Sequence, residues 1–148
     1  MQERKDKWCV GEWMTQNPFT IFPETSVRVA FFKMRFEGVR HLPVIGDDDT
    51  LIGIVSDRDL RRPDVTDEPD GWDDFYKLDG DYEVRDIMTT DVKTVGSKES
   101  LKKALGLMLE HRFSALPVLD KKGGLLGILS SHDLIRAFSE YMKATEES

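Results

Sequence analysis

The sequence has a single cysteine, Cys9, among its 148 residues. One thiol can neither close an internal disulfide nor build a cysteine-rich metal site, so the fold has to hold without staples. Such cysteine usage suits a reducing cytoplasm. No apolar run approaches the ~20 residues of a membrane span. The segment Met1 to Lys7 is charged, and no apolar signal core follows it. The chain therefore reads as soluble and unsecreted, with no membrane partner. Cations are outnumbered: 21 Lys and Arg face 28 Asp and Glu, a net charge of −7. An acidic surface repels a phosphate backbone, which excludes general nucleic-acid binding. It still admits a small anionic ligand, which needs only a local pocket of donors and a few cations.

Catalytic signatures are missing as well. His41, His111 and His132 lack metal-ligand spacing such as His-Glu-x-x-His. There is no Gly-x-Ser-x-Gly elbow and no Walker loop. Cys9 lies in an N-terminal extension, residues 1–9, expected to be mobile and with no base nearby in sequence. Carboxylates are plentiful but none is paired by spacing. The expectation is a protein that is not an enzyme, holds no metal and requires no cofactor.

What the sequence does have is a motif written twice. Its 39% hydrophobic and 33% charged content suffices for a packed core. Met14-Thr15 recurs 74 positions later as Met88-Thr89, and the offset holds without a gap. Val10 matches Val84, Thr20 matches Thr94, and Ser26 matches Ser100. Leu42-Pro43-Val44 matches Leu116-Pro117-Val118. Gly53, Ile54, Ser56, Asp59 and Leu60 match Gly127, Ile128, Ser130, Asp133 and Leu134.

Each copy reads as β-α-β-β-α. A short start leads into a brief strand near Phe19–Phe22 or Lys93–Val95. A helix follows, with Val27, Ala30, Phe31 and Met34 on one buried face and Gly38 as its stop. In the second copy that face is Leu101, Ala104, Leu105, Met108 and Leu109. Two strands come next, Leu42–Ile45 with Leu51–Val55 and Leu116–Leu119 with Leu125–Leu129. Their connections, Gly46–Thr50 and Asp120–Gly124, are polar and turn-rich. A second helix starts at Ser56 or Ser130. A copy of ~50 residues buries too little surface to be secure alone, so the two copies are expected to share one domain. The boundaries follow: an extension over 1–9, one repeat over 10–62, a linker over 63–83, and a second repeat with a C-terminal helix over 84–148. The linker is acidic (Asp64, Asp67, Glu68, Asp70, Asp73, Asp74, Asp79, Asp81) with an aromatic anchor of Trp72, Phe75 and Tyr76. Its spacing lacks an EF-hand order and suits a solvated loop.

Two features bear on chemistry. In Ser56-Asp57-Arg58-Asp59 and Ser130-Ser131-His132-Asp133, a strand runs straight into a helix through Ser-x-x-Asp. One reading is a capping box, with serine and acid each satisfying the other's backbone N–H. The other is a ligand site, since a helix N-terminus attracts phosphate and a carboxylate accepts from both hydroxyls of a ribose. The pattern alone does not separate them; its duplication favours two ligand pockets. Arg40-His41 stands where the second copy has Ser114-Ala115. It is either two surface residues at a strand entrance or a pair of phosphate-facing cations.

These motifs, with Trp13-Met14-Thr15 and Ile87-Met88-Thr89, make the chain resemble the tandem cystathionine-β-synthase (CBS) domain pair, or Bateman module, of the stand-alone bacterial or archaeal type. The resemblance runs from Val10 to about Phe138, apart from the linker. It implies an α/β (α+β) fold of two β-α-β-β-α repeats packed with pseudo-two-fold symmetry. It also implies adenosyl ligands, AMP, ADP or ATP (the last possibly with Mg), in clefts between the repeats, with S-adenosylmethionine or NAD less favoured. Carried onto this chain, one cleft uses Thr15, Thr20, Val39, Arg40 and His41 with Ser130, His132 and Asp133. The other uses Thr89, Thr94, Phe113, Ser114 and Ala115 with Ser56, Arg58 and Asp59. By the same resemblance the aspartates hold ribose, serines and basic side chains face phosphate, and strand-entrance residues flank adenine. Arg40, His41 and His132 give the first cleft more cations, so it is expected to bind ATP or ADP more tightly.

The first-copy helix carries a second apolar stripe, Val29, Phe32 and Phe36, where the other copy has Lys103, Gly106 and Glu110. Exposed aromatics in this number mark an interface, and CBS modules pair through such helices, so a homodimer is expected. The functional expectation is a nucleotide-sensing module that signals to a partner chain by changing conformation. The alternatives are a ligand-free interaction scaffold, in which both Ser-x-x-Asp segments are only caps, and an enzyme subunit.

Overall fold

A computed structural model describes residues 7–60 and 82–146. Most of the expected acidic linker, including all its named acids and aromatics, lies outside the described residues. In chain order the elements are α1 (Val10–Trp13), β1 (Thr15–Gln16), α2 (Val27–Glu37), β2 (His41–Ile45), β3 (Leu51–Ser56), α3 (Asp57–Leu60), α4 (Val84–Ile87), β4 (Val95–Gly96), α5 (Leu101–His111), β5 (Ala115–Leu119), β6 (Leu125–Ser130) and α6 (Ser131–Glu146). They form two compact units, one of Phe19–Val92 and one of Met1–Pro18 with Lys93–Ser148.

In the continuous unit, β2 and β3 pair antiparallel from His41↔Ser56 to Ile45↔Leu51, slipping at Val44/Ile45. Beside β2 the expected Phe19–Phe22 strand shrinks to one parallel bridge, Ile21↔Val44. Only Ile21 is buried there; Phe19 and Phe22 are exposed. Ser26 caps α2 by accepting from the Val29 N–H at 3.1 Å. Gly38, in the left-handed region at φ 70°, ends it. The face of Val27, Ala30, Phe31 and Met34 is buried as its spacing predicts, against Leu42, Val44, Val55, Leu60 and Val84. Each fully buried aliphatic contributes roughly 1.5–3 kcal/mol relative to exposure.

In the discontinuous unit the strand order is β1-β6-β5-β4. Here β5 pairs antiparallel with β6, slipping at Val118/Leu119 as its counterpart does, and β4 runs parallel to β5. Ser100 caps α5 through the Lys103 N–H at 3.1 Å. The core gathers Val10, Val95, Ala104, Met108, Leu116, Val118 and Leu129. The α5 face differs from its expected form: Leu105 and Leu109 are exposed, and only Ala104 and Met108 are buried. A short helix over a small sheet buries a stripe narrower than its apolar pattern.

The units do not coincide with the repeats. The start of each repeat docks on the other repeat's last strand. Thr15 pairs with Ile128 on β6. Correspondingly, Thr89 pairs with Ile54 on β3, with hydrogen bonds of 2.9 and 3.0 Å. The short helices follow suit. Val10 and Gly11 donate to the carbonyls of Glu99 and Ser97, and Val84 and Arg85 to those of Thr25 and Pro23. Cys9, expected in a mobile extension, forms a bridge with Ser100, and the Trp8 carbonyl accepts from the Leu101 N–H.

Candidate functional site

In each unit the strand–helix junction carries the residues singled out from sequence. The reason is local: Ser-x-x-Asp ends a strand and starts a helix in one step. In the continuous unit the Ser56 N–H donates to Asp59 Oδ2 at 2.9 Å, and the Asp59 N–H donates to Ser56 Oγ at 3.1 Å. In the other unit the Ser130 N–H donates to Asp133 Oδ2 at 2.9 Å, and the Asp133 N–H donates to Ser130 Oγ at 3.2 Å. Both junctions are therefore capping boxes in geometry.

The two differ in what else they hold. Asp133 is only 4% exposed. Its Oδ2 also accepts from the Ser130 hydroxyl at 3.0 Å, and its Oδ1 pairs with Arg136 Nη2 at 3.1 Å. A buried carboxylate needs such donors, because desolvation without them costs several kcal/mol. The strand entrance adjoins each junction. The Ser114 carbonyl accepts from the Ser131 N–H at 2.8 Å, and the Arg40 carbonyl from the Asp57 N–H at 2.9 Å. Ala115 sits opposite Ser130, and His41 opposite Ser56.

His41 bears on the expected pair of cations. Burial drives its imidazole below the ordinary 6.5; Asp57 and Asp59 pull it back up, and Arg40 adds to the depression. In the ligand-free chain this favours the neutral imidazole over a second cation beside Arg40.

Each expected ligand set is split between the units. Thr15, Ser130, His132 and Asp133 fall in the discontinuous unit, and Thr20, Val39, Arg40 and His41 in the continuous one. Likewise Thr89, Ser56, Arg58 and Asp59 fall in the continuous unit, and Thr94, Phe113, Ser114 and Ala115 in the other. Within a unit the exchange of starts brings Thr15 onto β6, two positions from Ser130, and Thr89 onto β3, two positions from Ser56. Arg58 and His132 are exposed, in the first turns of α3 and α6. Arg136 was missed from sequence; it stands one turn after Asp133, the spacing at which a helical acid and base pair. Among the described residues no three His, Cys, Asp or Glu side chains are grouped as a metal needs. No helix there is long and apolar enough to cross a membrane.

Comparison with known proteins agrees with this plan. The family model "CBS domain" matches residues 10–64 and 84–140. The chain belongs to the CBS-domain family, as a tandem pair. It is 34% identical to the chloroplastic CBS domain-containing protein CBSX2 of Arabidopsis thaliana, over 95% of this chain and 68% of that protein. A crystal structure of CBSX2 in complex with AMP superposes with a TM-score of 0.76 at 35% identity, covering 91% of this chain and 99% of that one. A homoserine O-acetyltransferase of Methanocorpusculum labreanum is 36% identical over 84% of this chain. This chain spans only 23% of that enzyme's length.

Proposed function

We infer that the chain is a regulatory module that binds an adenosyl ligand, AMP, ADP or ATP, and signals its occupancy to a partner protein through a change of conformation. It is not itself an enzyme, and it works in the cytoplasm. The observation that carries this reading is the likeness to the AMP-bound CBSX2 structure, at 35% identity over 91% of the chain. The duplicated junctions support it, each pairing a strand-end serine with a helix-start aspartate. In this reading Asp59 and Asp133 take ribose hydroxyls, and Arg40, Arg58, His132 and the two serines face phosphate. S-adenosylmethionine and NAD are weaker candidates, and Mg accompanies ATP if ATP is the ligand. A thermal-shift screen with AMP, ADP, ATP, S-adenosylmethionine and NAD tests it. A binder raises the melting point with concentration, by about 2.7 kcal/mol of stability at a hundredfold excess over Kd.

One observation favours a second reading. Both oxygens of Asp133 are already engaged within the protein. If no adenosyl compound moves the melting point, the junctions are caps and the chain is a ligand-free scaffold.

The exposed stripe on α2, with Phe36 88%, Val29 54% and Phe32 44% exposed, is assigned to an interface between two copies of the chain.

A further inference from the structure

Arg136 joins two features that the ligand reading leaves apart. Its Nη2 lies 3.1 Å from Asp133 Oδ1 and 3.4 Å from the Trp13 carbonyl oxygen. Its guanidinium also lies over the Trp13 ring, 5.6 Å from the centroid. Trp13 in turn stacks on Trp8, with centroids 5.9 Å apart and planes 3° from parallel, and Tyr141 meets Trp8 edge-on at 5.5 Å. The Trp13 indole N–H donates to the Lys7 carbonyl at 2.8 Å. One side chain thus spans from a buried carboxylate to the aromatic cluster that holds the N-terminal segment on α6. Two residues beyond Trp13 is Thr15, hydrogen-bonded onto β6.

The two ends of this link differ in strength. Asp133 Oδ2 is fixed by two donors from Ser130, whereas among the described residues Oδ1 is held by Arg136 alone, whose side chain is 51% exposed. A ribose diol spans both oxygens of a carboxylate, so it meets its competition at Oδ1. We propose that Arg136 is a latch: a ribose taking Asp133 Oδ1 displaces the guanidinium, and its release from Trp13 loosens the Trp8–Trp13–Tyr141 cluster and the segment ahead of β1. Arg136 is a positioning residue in this scheme, acting on ligand through Asp133 and on the N-terminus through Trp13. The latch rests on the adenosyl reading above and gives it a readout within one unit. Its thermodynamic content is that ligand and Arg136 compete for Asp133 Oδ1, so ligand binding and the Arg136-held cluster each weaken the other.

The test follows the emission of Trp8 and Trp13 in a Trp72→Phe background, with AMP as probe and calorimetry alongside. Saturating AMP should increase acrylamide quenching of the two indoles. Arg136→Ala should show the higher quenching without ligand, no further change with AMP, and AMP binding about threefold tighter, the release of one partly exposed ion pair. Arg136→Lys, which keeps the charge but not the planar face over Trp13, should restore the competition for AMP and leave the cluster loose. Circular dichroism of each variant establishes that α6 is intact. If AMP binds the parent with no change in quenching, or Arg136→Ala binds AMP no more tightly, the latch is overturned while the ligand reading stands. If calorimetry detects no binding of AMP, ADP or ATP to the parent, the ligand reading and the latch fall together; if only ADP or ATP binds, that nucleotide replaces AMP as the probe. Should Arg136→Ala not fold, unchanged ligand-free quenching in Arg136→Lys overturns the latch.

Discussion

The carbonyl oxygen of Thr15 lies 2.5 Å from where a Cβ on Gly127 would sit. The same relation recurs in the other unit, where the Thr89 carbonyl lies 2.9 Å from a Cβ on Gly53, with Met88 Sδ at 2.6 Å. The glycines and the Met-Thr pairs, distant in sequence, are two halves of one contact. The last strand of each repeat is bare at the point where the other repeat's start crosses it.

The first prediction follows from that contact. Gly127→Ala meets backbone and should destabilise by about 1–3 kcal/mol. Gly53→Ala should cost less, because its backbone contact is longer, 2.9 Å against 2.5 Å, and its closest contact is a flexible thioether. Gly106→Ala, in α5 with nothing within 4 Å, should instead stabilise by roughly 0.5–1 kcal/mol through helix propensity. Urea unfolding of the three variants ranks them. A neutral Gly127→Ala would show that β1 does not bear on β6 as described.

A second prediction concerns the two aspartates. Asp59→Asn and Asp133→Asn keep an oxygen for the cap and remove the charge. In calorimetry with ATP, Asp133→Asn should cause the larger loss, because the ligand set proposed for Asp133 includes His132 and Arg40 and that proposed for Asp59 includes Arg58 alone. Equal losses, or a larger one from Asp59→Asn, would reverse the ranking. The lowered pKa of His41 narrows the expected margin.

The third concerns pH. His41 has a lower pKa in the folded protein than in the unfolded chain. Well above pH 6.5 the ring is neutral in both states, and its contribution is constant. As pH falls through 6.5 the unfolded chain takes up a proton first, and stability drops until the native ring also titrates. Denaturant unfolding of the parent between about pH 7.5 and 5.5 should show a steeper fall than His41→Gln does. Superimposable slopes would place the ring in a solvent-like environment.

The fourth addresses the α2 stripe. The parent should run as a dimer in light scattering at micromolar concentration. Phe36→Glu should shift it to monomer without loss of helical signal, since Phe36 is 88% exposed in the chain and takes no part in its core. A parent already monomeric would remove the interface.

Much of this was legible because it is written in local chemistry. The hairpin β2–β3 is joined by a polar turn, and each strand, His41–Ile45 and Leu51–Ser56, runs one residue beyond the pattern at one end. The serine caps at Ser26 and Ser100 and the stop at Gly38 are short-range signals. The Ser-x-x-Asp junctions are visible as motifs, but sequence could not choose between cap and ligand site, since both use the same atoms. Exchange of the repeat starts was not legible. Met14-Thr15 pairs equally well on paper with β3 or β6, because both strands carry the same Gly-Ile. Leu105 and Leu109 misled because helical periodicity reports an apolar face and not how much of it a neighbour covers. Arg136 went unseen because an Asp-to-Arg spacing of three on a helix is common and gains meaning only with Trp13 beside it.

The exchange of starts has a consequence for the order in which the protein is made. Synthesis delivers α1 and β1 well before the strand β1 pairs with, β6, which is more than a hundred residues further on. The unit of Phe19–Val92 is continuous and has its whole core available once α4 and Thr89 have appeared. It should therefore fold before the other unit, while α1 and β1, made ahead of it, wait until β6 appears to find their place. Until then Trp8, Val10 and Trp13 have no core to enter. A stalled or truncated product would leave that apolar start exposed, a sign that synthesis is incomplete.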